Sequence, residues 1–173
     1  LRQAARPAII VGNGARSAIT DVLALADHLG APVLTTFKAK GLVPDTHPRA
    51  AGVLGRSGTP VASWLMNESD LLIVIGASFS NHTGIAPYKP IIQIDDDHAS
   101  IGRFHPVTVG VLGDASVTLQ LLTEELRRSP ELSTVEQLND IADRWALWRS
   151  EKARRRDDDD GRGIASSNVF DAL

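Results

Sequence analysis

Apolar positions along this chain come in two alternating kinds. Short runs, Ala8-Ile9-Ile10-Val11, Pro32-Val33-Leu34-Thr35-Thr36, Leu71-Leu72-Ile73-Val74-Ile75, Ile91 to Ile94 and Val107 to Leu112, predict strands. The run from Leu71 is the most apolar, and it reads as a central parallel strand buried on both faces. Between the runs, Ile19, Val22, Leu23, Ala26 and Leu29 recur at the period of a helix with one apolar face. Val61, Trp64 and Leu65 repeat that spacing, and Val117, Leu119, Leu121, Leu122 and Leu126 give a broader apolar face. Ser17 is placed to cap the first helix, and Gly30 followed by Pro32 ends it. Thr59-Pro60 opens the second, and Asp114 caps the third.

Strand, helix and strand over Ala8 to Thr36 make a β-α-β unit of about thirty residues. Its continuation indicates a three-layer α/β domain with a mostly parallel sheet. Ligands of such sheets sit beyond the C-terminal strand ends, which here carry Gly12, Thr36, Gly76, Asp95 and Gly113. Gly12-Asn13-Gly14 lies between strand and helix, where a tight turn and free N–H groups favour an anion. Ser17 stands where a third glycine would complete a dinucleotide fingerprint, so an ordinary strand-to-helix turn is the alternative. Phe37 to Gly58, with Gly41, Pro44, Pro48, Gly52, Gly55 and Gly58, reads as loop with a short strand at Gly52 to Leu54. Loops this long are often functional, though a solvated connection has the same composition.

Beyond Ser129 the pattern changes. Val135, Leu138, Ala142, Trp145 and Trp148 form a helical stripe in a charged segment, with the tryptophans as packing anchors. Lys152 to Arg156 and Asp157 to Asp160 are opposed charge blocks, which read as a solvated linker rather than a nucleic-acid patch. Apolar pattern returns from Gly163, as though another domain began.

Composition adds mainly exclusions. The 173 residues suffice for one domain with a core, and 43% hydrophobic with 23% charged residues is ordinary globular usage. A net charge of -3 implies no general attraction to nucleic acid or to an anionic membrane. No window approaches the roughly 20 apolar residues of a membrane span. Lack of cysteine removes thiol nucleophiles, thiolate zinc sites and iron–sulfur clusters, and it permits a reducing, cytoplasmic setting. Asp95, Asp96, Asp97 and His98 have the composition of a hard-metal cluster, but consecutive residues after a strand point apart. Histidines 28, 47, 82, 98 and 105 are scattered, with no nucleophile at motif spacing.

RPAIIVGNGAR, GAPVLTTFKAKGLVPDTHP, GVLGRSGTP, SDLLIVIGASF, IIQIDDDHASIG and VLGD, in that order and spacing, resemble the central domain of thiamine diphosphate-dependent enzymes, nearest the acetolactate synthase and pyruvate oxidase group. The resemblance implies a three-layer Rossmann-like α/β domain of about six mostly parallel strands, a DHS-like NAD/FAD-binding fold, plus a C-terminal helix and linker. Residues 1–128 would be the central domain, 129–162 a helical, charged linker, and 163–173 the start of a truncated diphosphate-binding domain. The chain is therefore expected to be a piece of a longer protein. In that family thiamine diphosphate and Mg2+ are held by the flanking N- and C-terminal domains. The Gly-Asp-Gly to Asn-Asn motif of the latter has no counterpart here, since Gly113-Asp114 is followed by Ala115. No catalytic residue and no metal ligand is expected in this chain, and the parent is expected to be a homo-oligomer.

Relatives that bind FAD hold it over the strand ends, and others hold ADP, the nucleotide part of coenzyme A, or nothing. The matching positions are Gly12, Asn13, Gly14 and Ala15 near the phosphates, then Thr36, Lys38 and Gly41, then Gly55, Arg56 and Ser57. Gly76, Ala77, Ser78 and His82 follow, with Asp95 and Asp97 toward adenosine and Gly113 and Asp114 closing the site. Ser78 stands where the synthases usually have Arg, and Ser80 and Asn81 where they have acidic residues, so Arg16 or Arg56 would supply the missing cation. On this reading Gly14→Val abolishes nucleotide binding and leaves the domain folded. The alternatives are a stand-alone NAD- or nucleotide-binding module, against whose deacylase-like form the absent cysteines argue, and a purely structural spacer.

Overall fold

The computed structural model describes residues 1–79, 83–128, 134–156 and 163–164, with only the backbone of Arg155 and Arg156. Its centre is one sheet of six parallel strands: β1 (Pro7–Val11), β2 (Val33–Thr35), β3 (Ala50–Val53), β4 (Leu71–Ile75), β5 (Ile91–Asp95) and β6 (Val109–Leu112). They lie in the order β3-β2-β1-β4-β5-β6, so the direction of winding reverses between β1 and β4. That pair is also the best matched, in register from Pro7 opposite Leu71 to Val11 opposite Ile75.

Strand periodicity decides what each apolar run does. In β1, Ile9 and Val11 join one core while Ala8 and Ile10 join the other, and in β4 Ile73 and Ile75 oppose Leu72 and Val74 in the same way. Continuous apolar runs are needed because both faces are covered. The first face takes α1 (Ile19–Leu29), through Val22, Leu25, Ala26 and Leu29, and α3 (Ala115–Arg127), through Leu119 and Leu126. The second takes α2 (Pro60–Glu68), through Val61, Ala62, Leu65 and Met66, and α4 (Leu138–Arg156), through Ile141 with Trp145 and Trp148 packed beside it. At β6, one of the two edge strands, the pattern fails and Val109 and Leu112 stay half-exposed, whereas β3 at the other edge is buried.

Local signals hold at several ends. Gly30 closes α1 in the left-handed region, φ 64°, where glycine has no Cβ penalty. The Thr59 hydroxyl accepts from Ala62 N–H at 3.4 Å, and the Asp114 carboxylate accepts from Val117 N–H at 2.9 Å. Ser17 does not cap. Asn13–Ala18 winds as 3-10 turns before α1, and neither Gly12 nor Ala18, the residues at the two starts, makes a side-chain cap. The third strand is centred earlier than expected, at Ala50–Val53, and β6 begins at Val109. Among the described residues only β1 to β2 and β3 to β4 cross over through an α-helix, and β2 to β3 carries a short 3-10 turn, Phe37–Ala39.

A strap ties the two faces together beneath the N-terminal ends of the strands. Val135 N–H donates to Ala5 C=O at 2.8 Å, Gln137 N–H to Gly30 C=O at 3.1 Å, and the buried Gln137 amide to Pro7 C=O at 2.9 Å. Arg49, 4% exposed, donates to Asp27 at 3.0 Å and, through both terminal nitrogens, to Glu136 at 2.5 and 2.9 Å. This fork pairs the planar guanidinium with a carboxylate in its preferred geometry. The guanidinium holds the Glu136 carboxyl below its ordinary range. From the strap α4 runs over α2, where Arg144 stacks 3.4 Å above the Trp64 ring and donates to Glu68 at 2.6 Å. Trp145 Nε1–H reaches Ala50 C=O at 2.7 Å.

Candidate functional site

Because every strand pair is parallel, all six C-terminal ends share one edge. Each ladder continues one residue past its strand: Gly12 N–H donates to Ile75 C=O at 2.8 Å, Thr36 to Val11 at 2.9 Å, and Gly76 to Ile94 at 2.9 Å. Leu54 donates to Thr35 at 2.8 Å and Gly113 to Asp95 at 3.0 Å. Around the reversal point the loops part over a cleft of about 520 Å³. That volume lies within the range of small-molecule sites.

Of the residues expected from sequence, Gly12, Asn13, Gly14, Thr36, Lys38, Arg56, Ser57, Gly76, Ala77, Ser78 and Asp95 line this cleft. Ala15 is fully buried beneath it, and Arg16 turns aside to donate to Asn13 at 3.2 Å. Gly41, φ 87°, sits in open space, and Gly55, φ 138°, supports the turn before Arg56 without lining the cleft. Asp97 is engaged in its own loop, accepting from Ala99 N–H at 2.9 Å and Ser100 O–H at 2.8 Å. Those hydrogen bonds hold its carboxyl below the ordinary range. Gly113 and Asp114 start α3 and lie off the cleft. His82 lies outside the described residues, as do Ser80 and Asn81. Phe37, Leu54, Phe79, Thr83 and Ser100 also line the cleft. Leu54 ends the strand expected at Gly52 to Leu54 and Phe37 lies two residues beyond β2, so following each strand end two residues outward would have found both. Ser100, Thr83 and Phe79 carry no such local signal.

The glycines do something different from what the motif suggests. A Cβ on Gly12 would fall 2.0 Å from Gly76 C=O and 2.5 Å from Ala77 Cα. One on Gly76, φ 59°, would fall 2.4 Å from Ala15 N and 2.5 Å from the Gly14 carbonyl carbon. The loops after β1 and β4 therefore cross backbone against backbone, a contact only glycine allows. Gly14 N–H donates to Gly76 C=O at 3.0 Å, and Ala15 N–H to Gly12 C=O at 3.2 Å. With Gly12 N–H also engaged, these N–H groups serve the crossing.

The side chains divide by charge. Lys38 and Arg56 are exposed at the β2 and β3 ends, and neither takes part in the ion pairs among the described residues. Asp95 stands at the β5 end, 9% exposed. Burial pushes its carboxyl above the ordinary range, partly offset by the Asp97 N–H that it accepts at 3.0 Å. Phe37 presents its ring 52% exposed at the cleft mouth. Phe79 is buried at φ 52°, edge-on to His105 with centroids 5.8 Å apart. A bulky side chain in that backbone region costs about 1–3 kcal/mol and is found where surroundings hold it there, often at functional sites.

Residues 1–122 match the family model described as thiamine pyrophosphate enzyme, central domain. A putative thiamine pyrophosphate-containing protein, YdaP of Bacillus subtilis, is 40% identical over 131 residues, 76% of this chain and 23% of that protein. A probable acetolactate synthase large subunit of Methanococcus aeolicus is 38% identical over 133 residues, 73% of this chain and 22% of its own. The acetolactate synthase large subunit of Corynebacterium glutamicum is 33% identical across 99% of this chain and 28% of its own. The chain thus spans between 22% and 28% of these relatives' length. Among the described residues no helix is long and apolar enough to cross a membrane, and no group of three or more His, Asp or Glu is placed to hold a metal ion.

Proposed function

This chain belongs to the thiamine pyrophosphate enzymes, whose central domain it forms, and we propose that it holds an adenine nucleotide, FAD or ADP, without itself carrying out catalysis. The parent protein would act on a pyruvate-like 2-oxo acid, as the acetolactate synthase relatives suggest, by decarboxylation with carboligation or oxidation. Thiamine diphosphate and Mg2+ would be bound by flanking N- and C-terminal domains, and the parent would assemble as a homo-oligomer.

The observation that carries the reading is the cleft's division of charge, with two cations outside any described ion pair facing one buried carboxylate across the sheet's reversal point. Lys38 and Arg56 suit a diphosphate, with the hydroxyls of Thr36, Ser57 and Ser78 as further donors. Asp95 suits a ribose hydroxyl or an adenine amine, since a carboxylate only accepts. Phe37 offers an aromatic face to a planar ring. FAD, when bound, would supply either a structural flavin or a redox partner for the thiamine chemistry.

The test is the visible spectrum of the full-length protein together with calorimetric titration of FAD, ADP and coenzyme A. Saturable binding of FAD or ADP that falls about tenfold in Lys38→Ala or Arg56→Ala, and falls further with added salt, supports the reading. A colourless, active protein that takes up none of the three nucleotides refutes it and leaves a structural spacer. The already engaged N–H groups of Gly12, Gly14 and Ala15 favour that second reading.

A further inference from the structure

Gln93 sits in β5 with no solvent exposure, a polar side chain inside a strand otherwise made of isoleucine up to its last residue. Burying an amide without partners is unfavourable, and this one is fully engaged. Its nitrogen donates to Ala77 C=O at 3.2 Å and to Ser100 C=O at 3.0 Å, and its oxygen accepts from Gly102 N–H at 2.9 Å. Ala77 belongs to the loop after β4, whereas Ser100 and Gly102 belong to the loop after β5. Ala77 and Ser100 both line the cleft, and Gln93 itself does not.

We infer that Gln93 is a positioning residue for the cleft, whose amide sets the separation of the two loops forming its β5-side wall. Its consequence for binding rests on the nucleotide reading above. The residue type follows from the geometry. Two carbonyls and one N–H require two donors and one acceptor on a single planar group, which Gln provides and neither Glu nor Leu does. The grip falls just after Gly76, φ 59°, and just before Phe79, φ 52°, so it holds a segment whose backbone would otherwise relax. The second loop is braced independently by Asp97, which accepts from Ala99 and Ser100. The β4 loop is tied at Gly76, whose C=O accepts from Gly14 N–H at 3.0 Å, so Ala77 and Ser78, just beyond that tie, should move most when the amide is lost.

The experiment compares Gln93→Leu and Gln93→Glu with Ile73→Val, a core change in β4 on the face of α1 and α3. Two readouts are taken on the 173-residue chain under conditions where all variants are folded: amide exchange at Gly102 and affinity for ADP. Gln93→Leu is expected to speed Gly102 exchange at least tenfold while amides within β1 and β4 keep their rates, and to weaken ADP at least tenfold. Ile73→Val is expected to leave both within about twofold of wild type. Gly102 exchanging at the wild-type rate in Gln93→Leu overturns the clamp. Affinity loss that merely follows melting temperature, equal in Ile73→Val at matched stability, overturns the positioning role. If wild type binds neither ADP nor FAD, the nucleotide reading fails, and Gly102 exchange still decides the clamp.

Discussion

Substituting Gly12 by alanine tests the claim that the glycines serve a backbone crossing. The added Cβ would lie 2.0 Å from Gly76 C=O and 2.5 Å from both Ala77 Cα and Cβ, all of them atoms of a neighbouring buried loop. A normal carbon–oxygen contact is more than 1 Å longer, so the two loops must separate. Separation strains the Gly12-to-Ile75 and Gly14-to-Gly76 hydrogen bonds, at 2.8 and 3.0 Å. Overpacking costs about 1–3 kcal/mol and an unpaired buried group a similar amount, so Gly12→Ala should lose about 3–5 kcal/mol. That is a large part of the roughly 5–15 kcal/mol of a whole domain, and about 10 °C in Tm at this size. Gly14→Ala is the internal control, because its Cβ would meet Gly76 Cα at 3.0 Å and the Gly76 oxygen at 3.1 Å, which a small shift relieves. It should lose about 1 kcal/mol. Urea unfolding followed by tryptophan fluorescence measures both. If Gly12→Ala unfolds at the wild-type urea concentration, or Gly14→Ala is the more damaging, the crossing argument is wrong. The same geometry revises the expectation for Gly14→Val, whose branched side chain would disturb the centre of the sheet before it met any ligand.

Three further outcomes follow from other parts of the molecule. Replacing Asp27 by Asn and Glu136 by Gln together leaves the buried Arg49 guanidinium without a carboxylate, and should cost about 3–5 kcal/mol, more than the two single changes added, in chemical denaturation. Asp95 has a raised carboxyl pKa in the folded state, so between its unfolded value and that raised value the native chain binds more protons. Stability from this group therefore falls as pH rises through that window; Asp95→Asn should be as stable as wild type at low pH and more stable at neutral pH. Unfolding midpoints taken from pH 3 to 7 that run parallel for the two proteins would contradict this. Trp145→Phe keeps most of the packing but removes the donor to Ala50 C=O, and should lose about 1 kcal/mol by urea unfolding, with Trp64 and Trp148 still reporting.

Much of the fold was legible because its causes are local. Apolar runs at Ala8 and Leu71 become strands covered on both faces, the spacing from Ile19 to Leu29 becomes α1, and Gly30, Thr59 and Asp114 terminate helices through their own backbone or side-chain chemistry. The parallel sheet then puts the strand ends on one edge, so Thr36, Lys38, Gly76 and Asp95 meet at one cleft as the sequence implied. Tertiary structure alone decided which groups were already occupied. Ser17 has cap chemistry but lies within 3-10 turns, and Asp97 spends its carboxylate on its own loop. Gly12 and Gly14 have the spacing of a phosphate turn, yet their N–H groups are taken by residues more than sixty positions away in the chain. Gln93 and Arg49 are invisible in a periodicity, since each acts through partners from distant segments. A residue's type and spacing state what it can bond to, whereas strand order and loop crossing determine which of those partners comes within 3 Å.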